Sequence, residues 1–289
     1  MKFTKMHGAG NDYIYIDARG HDDRDADWPR LSQSMSDRHF GVGADGIILI
    51  MESRIADLKM RMFNADGSEG EMCGNGIRCF AKYAIDRGIA SPSAHGLDVE
   101  TLAGIRTVVP IYEGDRIVSA RVAMGEPLLD PDDIPVRLNS PSGYPKGPVI
   151  DYSFAVDGLD LSLTFVSMGN PHAVTFLAQP VGEFPLHTIG PKVEHHPMFP
   201  RRVNFETVNQ TGPNALTARV WERGSGETMA CGTGACAIAV AARLLGLADG
   251  RIDITLPGGT LAVDWDGEGE VYLEGPAEEV FSGEWPVYI

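Results

Sequence analysis

The feature that most limits what this chain can fold into is a repeat. Residues 66–76, DGSEGEMCGNG, align with a one-residue slip on residues 223–234, RGSGETMACGTG. Each copy ends in Cys-Gly-x-Gly and runs into an apolar, helix-like stretch. A second matched pair lies upstream: HGAGNDYIYID from His7 and SMGNPHAVTFL from Ser167 both set Gly-Asn ahead of a strand-like run. Cys73 follows Asn11 by 62 positions, and Cys231 follows Asn170 by 61. Two landmarks at nearly equal spacing point to one duplicated unit, and 289 residues suit two domains.

Periodicity fills in the unit. After Cys73, Ile77, Phe80, Ala81, Ala84 and Ile85 keep helical spacing, with Gly88 as a C-cap. After Cys231, ACAIAVAARLL is apolar nearly all round before Gly246, the pattern of a helix buried on every side. Short strands are expected at YIYID, GIILIM, LKMRMFN, RTVVPIY, RIVSARVAM, SLTFVSM, ALTARVWE, DITLP, TLAVDWD and EVYLEG. LNSPSGYPKGPVIDY reads as irregular and turn-rich. The expectation is an α/β fold of two pseudo-symmetric domains, each of strands wrapped on one buried helix. Residues 1–120 would carry Cys73, with the C-terminal stretch of about 278–289, ending in PVYI, returning to them. Residues 121–277 would carry Cys231.

Composition narrows the partners. A formal net charge of −16 repels phosphate backbones and anionic lipid, so neither nucleic acid nor a membrane surface is expected as a partner. No apolar window is long enough to span a bilayer, and MKFTKMHGAGNDY lacks the apolar core of a signal peptide. The expected location is the cytoplasm, with reduced thiols. The four cysteines, Cys73, Cys79, Cys231 and Cys236, are not spaced as a zinc or redox Cys-x-x-Cys motif, so no metal is expected. Cys79 and Cys236 fall inside the apolar helices and read as small core residues.

A helix start leaves its first N–H groups without intrahelical acceptors and carries partial positive charge, which suits an anion. Glycines 74, 76, 232 and 234 clear side chains from those N–H groups. A cysteine there is expected to favour its thiolate. A matched pair of such cysteines suggests two thiols facing one ligand across a cleft. Inverting a stereocentre needs that arrangement: a base takes a proton from one face of a carbon while an acid delivers one to the other. The difficult species is the carbanion beside a carboxylate, and two helix N-termini aimed at that carboxylate would stabilise it by about 3 kcal/mol per well-placed donor. The scheme needs no cofactor.

HGAGNDY, NADGSEGEMCGNGIRC, MGNPHAV, NFE and ERGSGETMACGTGACA together resemble the diaminopimelate epimerase family, from the N-terminus to about residue 240. The resemblance implies a pyridoxal-phosphate-independent epimerase that converts LL- to meso-diaminopimelate for lysine and peptidoglycan synthesis. It also implies a strand barrel around a central helix in each domain, and a homodimer. By motif, Cys73 and Cys231 become the acid–base pair, Cys73 as donor and Cys231 as acceptor in the LL-to-meso direction. Gly74, Asn75, Gly232 and Thr233 would meet the carboxylate at the reacting centre. Asn11, Asn64, Asn170 and Asn204, with Glu222 and Arg223, would bind the rest of the substrate, Arg223 taking the distal carboxylate as a bidentate donor. His172 and Glu222 match positions that support catalysis. One departure stands out: some members carry a substrate-contacting glutamine where GVGADG has Gly46.

Each residue also has a plainer reading. The asparagines form turns, His172 caps a strand, and Glu222-Arg223 is a surface ion pair. Three other functions stay open at this level. One is another two-cysteine amino-acid racemase of the proline or histidine type; a carboxylate-dependent isomerase of similar fold is disfavoured by cysteine at both positions. The third is a non-catalytic redox or metal-binding protein. Cys73 and Cys231 are also candidates for an oxidative cross-link.

Overall fold

A computed structural model of the chain describes residues 1–20, 27–138 and 146–286. The chain forms two compact units, Met1–Ala123 with Glu274–Ile289, and Met124–Leu273. Val287, Tyr288 and Ile289 of the PVYI stretch, and residues 139–145 of the turn-rich run, lie outside the described residues.

The first unit runs β1 (Lys2–Gly8), β2 (Asn11–Asp17), α1 (Trp28–Ser36), β3 (Gly46–Met51), β4 (Leu58–Asn64), β5 (Glu69–Gly70), α2 (Gly74–Asp86), β6 (Leu97–Thr101), β7 (Gly104–Glu113) and β8 (Arg116–Ala123). The pairings are β1 antiparallel to β2, β2 parallel to β3, β3 antiparallel to β4, β4 parallel to β6, and β6–β7–β8 antiparallel. β3, GIILIM, is buried at every position, as suits a strand covered on both faces. Helix α2 packs on β8, β1, β2, β7 and β3, and Ile77, Phe80, Ala81 and Ala84 are fully buried. It ends at Gly88, whose φ of 65° lets the Ile89 N–H turn back to the Ala84 carbonyl. On the other side, Trp28, Met35, Ile14, Ile47 and Phe63 form a core under α1.

The second unit repeats this order. It contains β9 (Tyr152–Val156), β10 (Leu159–Ser167), β11 (Pro171–Phe176), α3 (Leu186–Glu194), β12 (Asn204–Gly212), β13 (Ala215–Glu222), β14 (Gly226–Thr228), α4 (Gly232–Leu244), β15 (Arg251–Leu256) and β16 (Gly259–Asp264). β10 is antiparallel to β11, β11 parallel to β12, β12 antiparallel to β13, and β13 parallel to β15. The sequence β1-β2-β3-β4-β6 is thus matched pairing for pairing by β10-β11-β12-β13-β15. Helix α4 packs on β10, β16, β11, β12 and β15, buried from Ala235 to Ala242, and Gly246 closes it as Gly88 closes α2. β17 (Tyr272–Pro276) then leads to β18 (Glu278–Glu284), which is antiparallel to β1 within the first unit. No helix of the described residues is long and apolar enough to cross a membrane.

Neither α1 nor α3 is evident in the sequence. Gly190 and Pro191 interrupt the helical pattern of α3. A Cβ at Gly190 would sit 2.5 Å from the Trp221 ring, so the glycine is there to let that indole pack.

Candidate active site

Each cysteine is the N-cap of its unit's central helix. Cys73 has φ −128° and ψ 119°, Cys231 φ −117° and ψ 117°. Serine, threonine, aspartate and asparagine usually fill this position with a side-chain oxygen; here sulfur takes the bond. Gly76 N–H donates to Cys73 Sγ at 3.4 Å, and Gly234 N–H to Cys231 Sγ at 3.3 Å. The next helical bond follows in both copies, Ile77 and Ala235 N–H donating to the cysteine carbonyls at 2.9 Å. Gly74, Asn75, Gly232 and Thr233 therefore occupy the first turns, where helix geometry leaves N–H groups for an anion.

Around Cys73, Asn11 is the hub. Its Nδ2 donates to Asp45 Oδ2 at 2.6 Å, which turns its carbonyl oxygen to receive Cys73 S–H at 3.2 Å and Asn75 Nδ2 at 3.3 Å. Arg78, fully buried, donates to Asn75 Oδ1 at 2.9 Å and to the Gly74 carbonyl at 3.0 Å, adding positive charge at the N-terminal end of α2. Burial first, then the neighbouring Cys73 and Asp45, push the Tyr13 hydroxyl well above the tyrosine range. It stays protonated beside Cys73 and Asn11. Asn64 lies opposite Gly46 across β3–β4, and its amide donates to Ser68 at 3.0 Å. A Cβ at Gly46 would lie 2.1 Å from the Phe63 carbonyl oxygen. The backbone here therefore excludes any side chain at that position, glutamine included.

Around Cys231 the same places carry different chemistry. Asn170 Nδ2 donates to Thr233 Oγ1 at 3.2 Å, which lies 3.5 Å from Cys231 Sγ. Asn170 Oδ1 meets His172 Nε2 at 3.0 Å, and His172 Nδ1 meets Glu206 Oε1 at 2.7 Å. Both members of this pair are fully buried, and burial raises the Glu206 carboxyl against the lowering effect of His172. Asn204, opposite His172 in register, accepts the Arg223 N–H at 2.9 Å, and Thr228 donates to Glu222 at 2.6 Å. Arg223 itself reaches the Arg201 carbonyl at 3.1 Å.

The expectation of a favoured thiolate at every such helix start needs correction at Cys231. Burial, then Glu222 and Glu206, outweigh the bonds from Thr233 and Gly234 and push its thiol well above the ordinary value. Cys79 is likewise pushed up, to about 11, because desolvation outweighs the nearby Arg78; both it and Cys236 are fully buried. Tyr13, Asp45, Arg78 and Glu206 were not singled out from sequence. Tyr13 and His172 each stand two residues past a paired asparagine, and Glu206 two past Asn204 on the same face of its strand, so the signal lay in the repeat. Among the described residues no group of three or more His, Cys, Asp or Glu is placed to hold a metal ion.

The sequence profile described as diaminopimelate epimerase matches residues 3–129 and 164–280. Proteins named diaminopimelate epimerase from Acetivibrio thermocellus and Moorella thermoacetica are each 48% identical; the first alignment covers 98% of both chains, the second 99% of this chain and 100% of the relative. The counterpart from Methanococcus maripaludis is 47% identical over 98% of this chain and 99% of its own. Among solved structures, a PhzF-family phenazine biosynthesis protein of Bacillus anthracis superposes with TM-score 0.69 at 16% identity, over 99% of both chains. A probable proline racemase of Agrobacterium radiobacter gives 0.66 at 15%, over 99% of this chain and 93% of its own. These two likenesses concern the fold alone, which is mixed α/β.

Proposed function

The chain belongs to the diaminopimelate epimerase family, and on that premise we propose that Cys73 and Cys231 interconvert LL- and meso-diaminopimelate by a two-base mechanism. The activity is that of an isomerase, an epimerase acting on diaminopimelate. One cysteine, as thiolate, removes the α-proton from one face. The electron pair of the broken C–H bond rests on the α-carbon and its carboxylate, and the other cysteine, as thiol, delivers its proton to the opposite face. The two sulfurs exchange roles in the reverse direction.

The observation that carries this reading is the repeated cap: in each unit a cysteine sulfur accepts the N–H three residues on, at the N-terminus of a buried helix. First-turn N–H groups of Gly74, Asn75, Gly232 and Thr233 stabilise the carboxylate as charge develops on it. Asn11 orients the Cys73 thiol directly, and Asn170 acts on the Cys231 thiol through Thr233. His172, braced by Glu206, holds Asn170, while the charge of Glu222 keeps Cys231 a strong base once ionised. Asn64, Asn204, Glu222 and Arg223 take the amino acid's distal end. Gly46 offers backbone only, so a contact there passes through the main chain. We place the enzyme in the cytoplasm as a homodimer, which sedimentation of the purified chain checks.

The test is incubation with LL-diaminopimelate in deuterated water. Wild type exchanges the α-hydrogen and forms the meso isomer; Cys73→Ala and Cys231→Ala keep the fold and form none. Full turnover by either variant refutes the two-base scheme, and racemisation of proline or histidine without action on diaminopimelate refutes the substrate.

A further inference from the structure

The distal end of the second unit's site hangs on a three-residue turn. Glu222 pairs with Gly226 across β13–β14, leaving Arg223, Gly224 and Ser225 as the loop. Gly224 and Gly226, at φ 81° and 82°, adopt the left-handed backbone that glycine permits. The turn closes one bond of its own, Ser225 N–H to the Glu222 carbonyl at 3.1 Å. Its other two N–H groups are taken from outside. Arg223 N–H goes to Asn204 Oδ1 at 2.9 Å, and Gly224 N–H to Glu194 Oε1 at 2.8 Å.

Glu194 is the last residue of α3, where the helix dipole disfavours a carboxylate. Its side chain is only 4% exposed. Donors offset that cost: Trp221 Nε1–H reaches Oε2 at 2.8 Å and Arg202 reaches Oε1 at 3.2 Å. Burial raises its acidity constant's pKa, but the bonds from Trp221 and Gly224 and the charges of His195 and Arg202 outweigh it and hold the group below its ordinary value. A carboxylate only accepts, so it holds the indole and the turn together. With Asn204 Oδ1 committed to Arg223 N–H, the buried Asn204 Nδ2 has no hydrogen-bond partner among the described residues and is the donor left for a ligand.

We infer that Glu194 is a positioning residue for the substrate's distal carboxylate: bridging Trp221 and Gly224, it sets the turn that presents Arg223 and orients Asn204. The inference rests on the proposal that Arg223 and Asn204 bind that end of diaminopimelate.

Glu194→Gln offers one acceptor oxygen where Trp221 meets one carboxylate oxygen and Gly224 and Arg202 meet the other, so its amide NH2 must oppose either Trp221 or the Gly224 and Arg202 donors. In the full-length enzyme KM for diaminopimelate rises about tenfold while kcat stays within about threefold. Arg223→Ala raises KM comparably, and the double variant is no worse than the worse single one, because both act through one contact. An unchanged KM in Glu194→Gln, an equal loss in kcat, or fully multiplicative effects with Arg223→Ala overturn the role of Glu194. An unchanged KM in Arg223→Ala is a separate result, which overturns the distal-site reading and this inference with it. Thermal melting reports folding. Where Glu194→Gln does not fold, adding Trp221→Phe removes the opposed donor and lets the amide oxygen take Gly224 N–H. KM then returns toward wild type, and a folded double variant with a high KM overturns the inference.

Discussion

The glycine three residues past each cysteine gives the sharpest prediction, because the two copies differ in what a methyl group would meet. At Gly234 an added Cβ lies 3.2 Å from Glu206 Oε1, 3.2 Å from Cys231 Cβ and 3.3 Å from Cys231 Sγ. All three are tighter than ordinary contact, and none of the three atoms is free to swing away: the sulfur is held by the cap bond and the carboxyl by His172. At Gly76 the Cβ lies 3.4 Å from Cys73 Cβ and 3.7 Å from its sulfur, which is ordinary contact. Its one clash, 2.6 Å, is with the Ile48 Cδ1 methyl, the far end of a flexible side chain. Gly234→Ala thus moves the thiol by a few tenths of an ångström and crowds a buried carboxyl, whereas Gly76→Ala moves a methyl group. Displacements approaching 1 Å at a reacting group cost roughly 100-fold, so Gly234→Ala is expected to lower kcat/KM by about 10- to 100-fold. Overpacking costs about 1–3 kcal/mol and alanine returns up to about 1 kcal/mol of helix propensity, a net loss of roughly 1 kcal/mol in stability. Gly76→Ala is expected to lose less than about fivefold in rate, or ~1 kcal/mol of transition-state stabilisation, at near-wild-type stability. Steady-state epimerisation and urea unfolding of both variants check this. Equal losses at the two positions, or a Gly234→Ala enzyme as active as wild type, would show that the cap sulfur is not held in place as described.

Two further predictions concern buried titratable groups. The Cys79 thiol, pushed up to about 11 from 9.0, stays protonated in the folded state where the unfolded chain would ionise. The stability this contributes is complete below about pH 9 and is lost as pH rises through about 11. As pH rises past about 11, wild type should therefore lose about 3 kcal/mol more stability than Cys79→Ala, and parallel curves would refute the assignment. His172→Phe strands the Glu206 carboxyl, whose Oε2 already has no partner among the described residues. Its raised pKa makes it most stable when protonated, so the variant is expected to lose about 3 kcal/mol at neutral pH and less as pH falls. Chemical unfolding at pH 5 and pH 8 measures the difference; an equal loss at both would show the carboxyl is not the cause.

Much of the unit was legible because period and punctuation agree. GIILIM, LKMRMFN and ALTARVWE are β3, β4 and β13 with those bounds, and the two Cys-Gly-x-Gly segments start α2 and α4. What escaped sequence reading was held by distant partners. α3 carries Gly190 and Pro191 inside it, tolerated because Trp221 packs on the glycine and Glu194 anchors the C-terminal end. β1, KFTKMHG, breaks its alternation at Thr4 and Lys5 and is ordered by β2 and β18, the latter from the other end of the chain.

The sequence by itself determined the duplication, the two helix-capping thiols, the glycines that expose the helix ends, and the family. These are local: a cap, a helix and a turn depend on residues within a few positions of each other. Only the tertiary structure decided what surrounds each sulfur. Asn11 turns its oxygen to Cys73 because Asp45 holds its nitrogen, while Asn170 turns its nitrogen to Thr233 because His172 and Glu206 hold its oxygen. The amide's direction, the raised Cys231 thiol and the exclusion of any side chain at Gly46 all follow from atoms brought together by strand register. Identical motifs therefore acquired different electrostatics, since a field is set by everything within reach in space and not by neighbours along the chain.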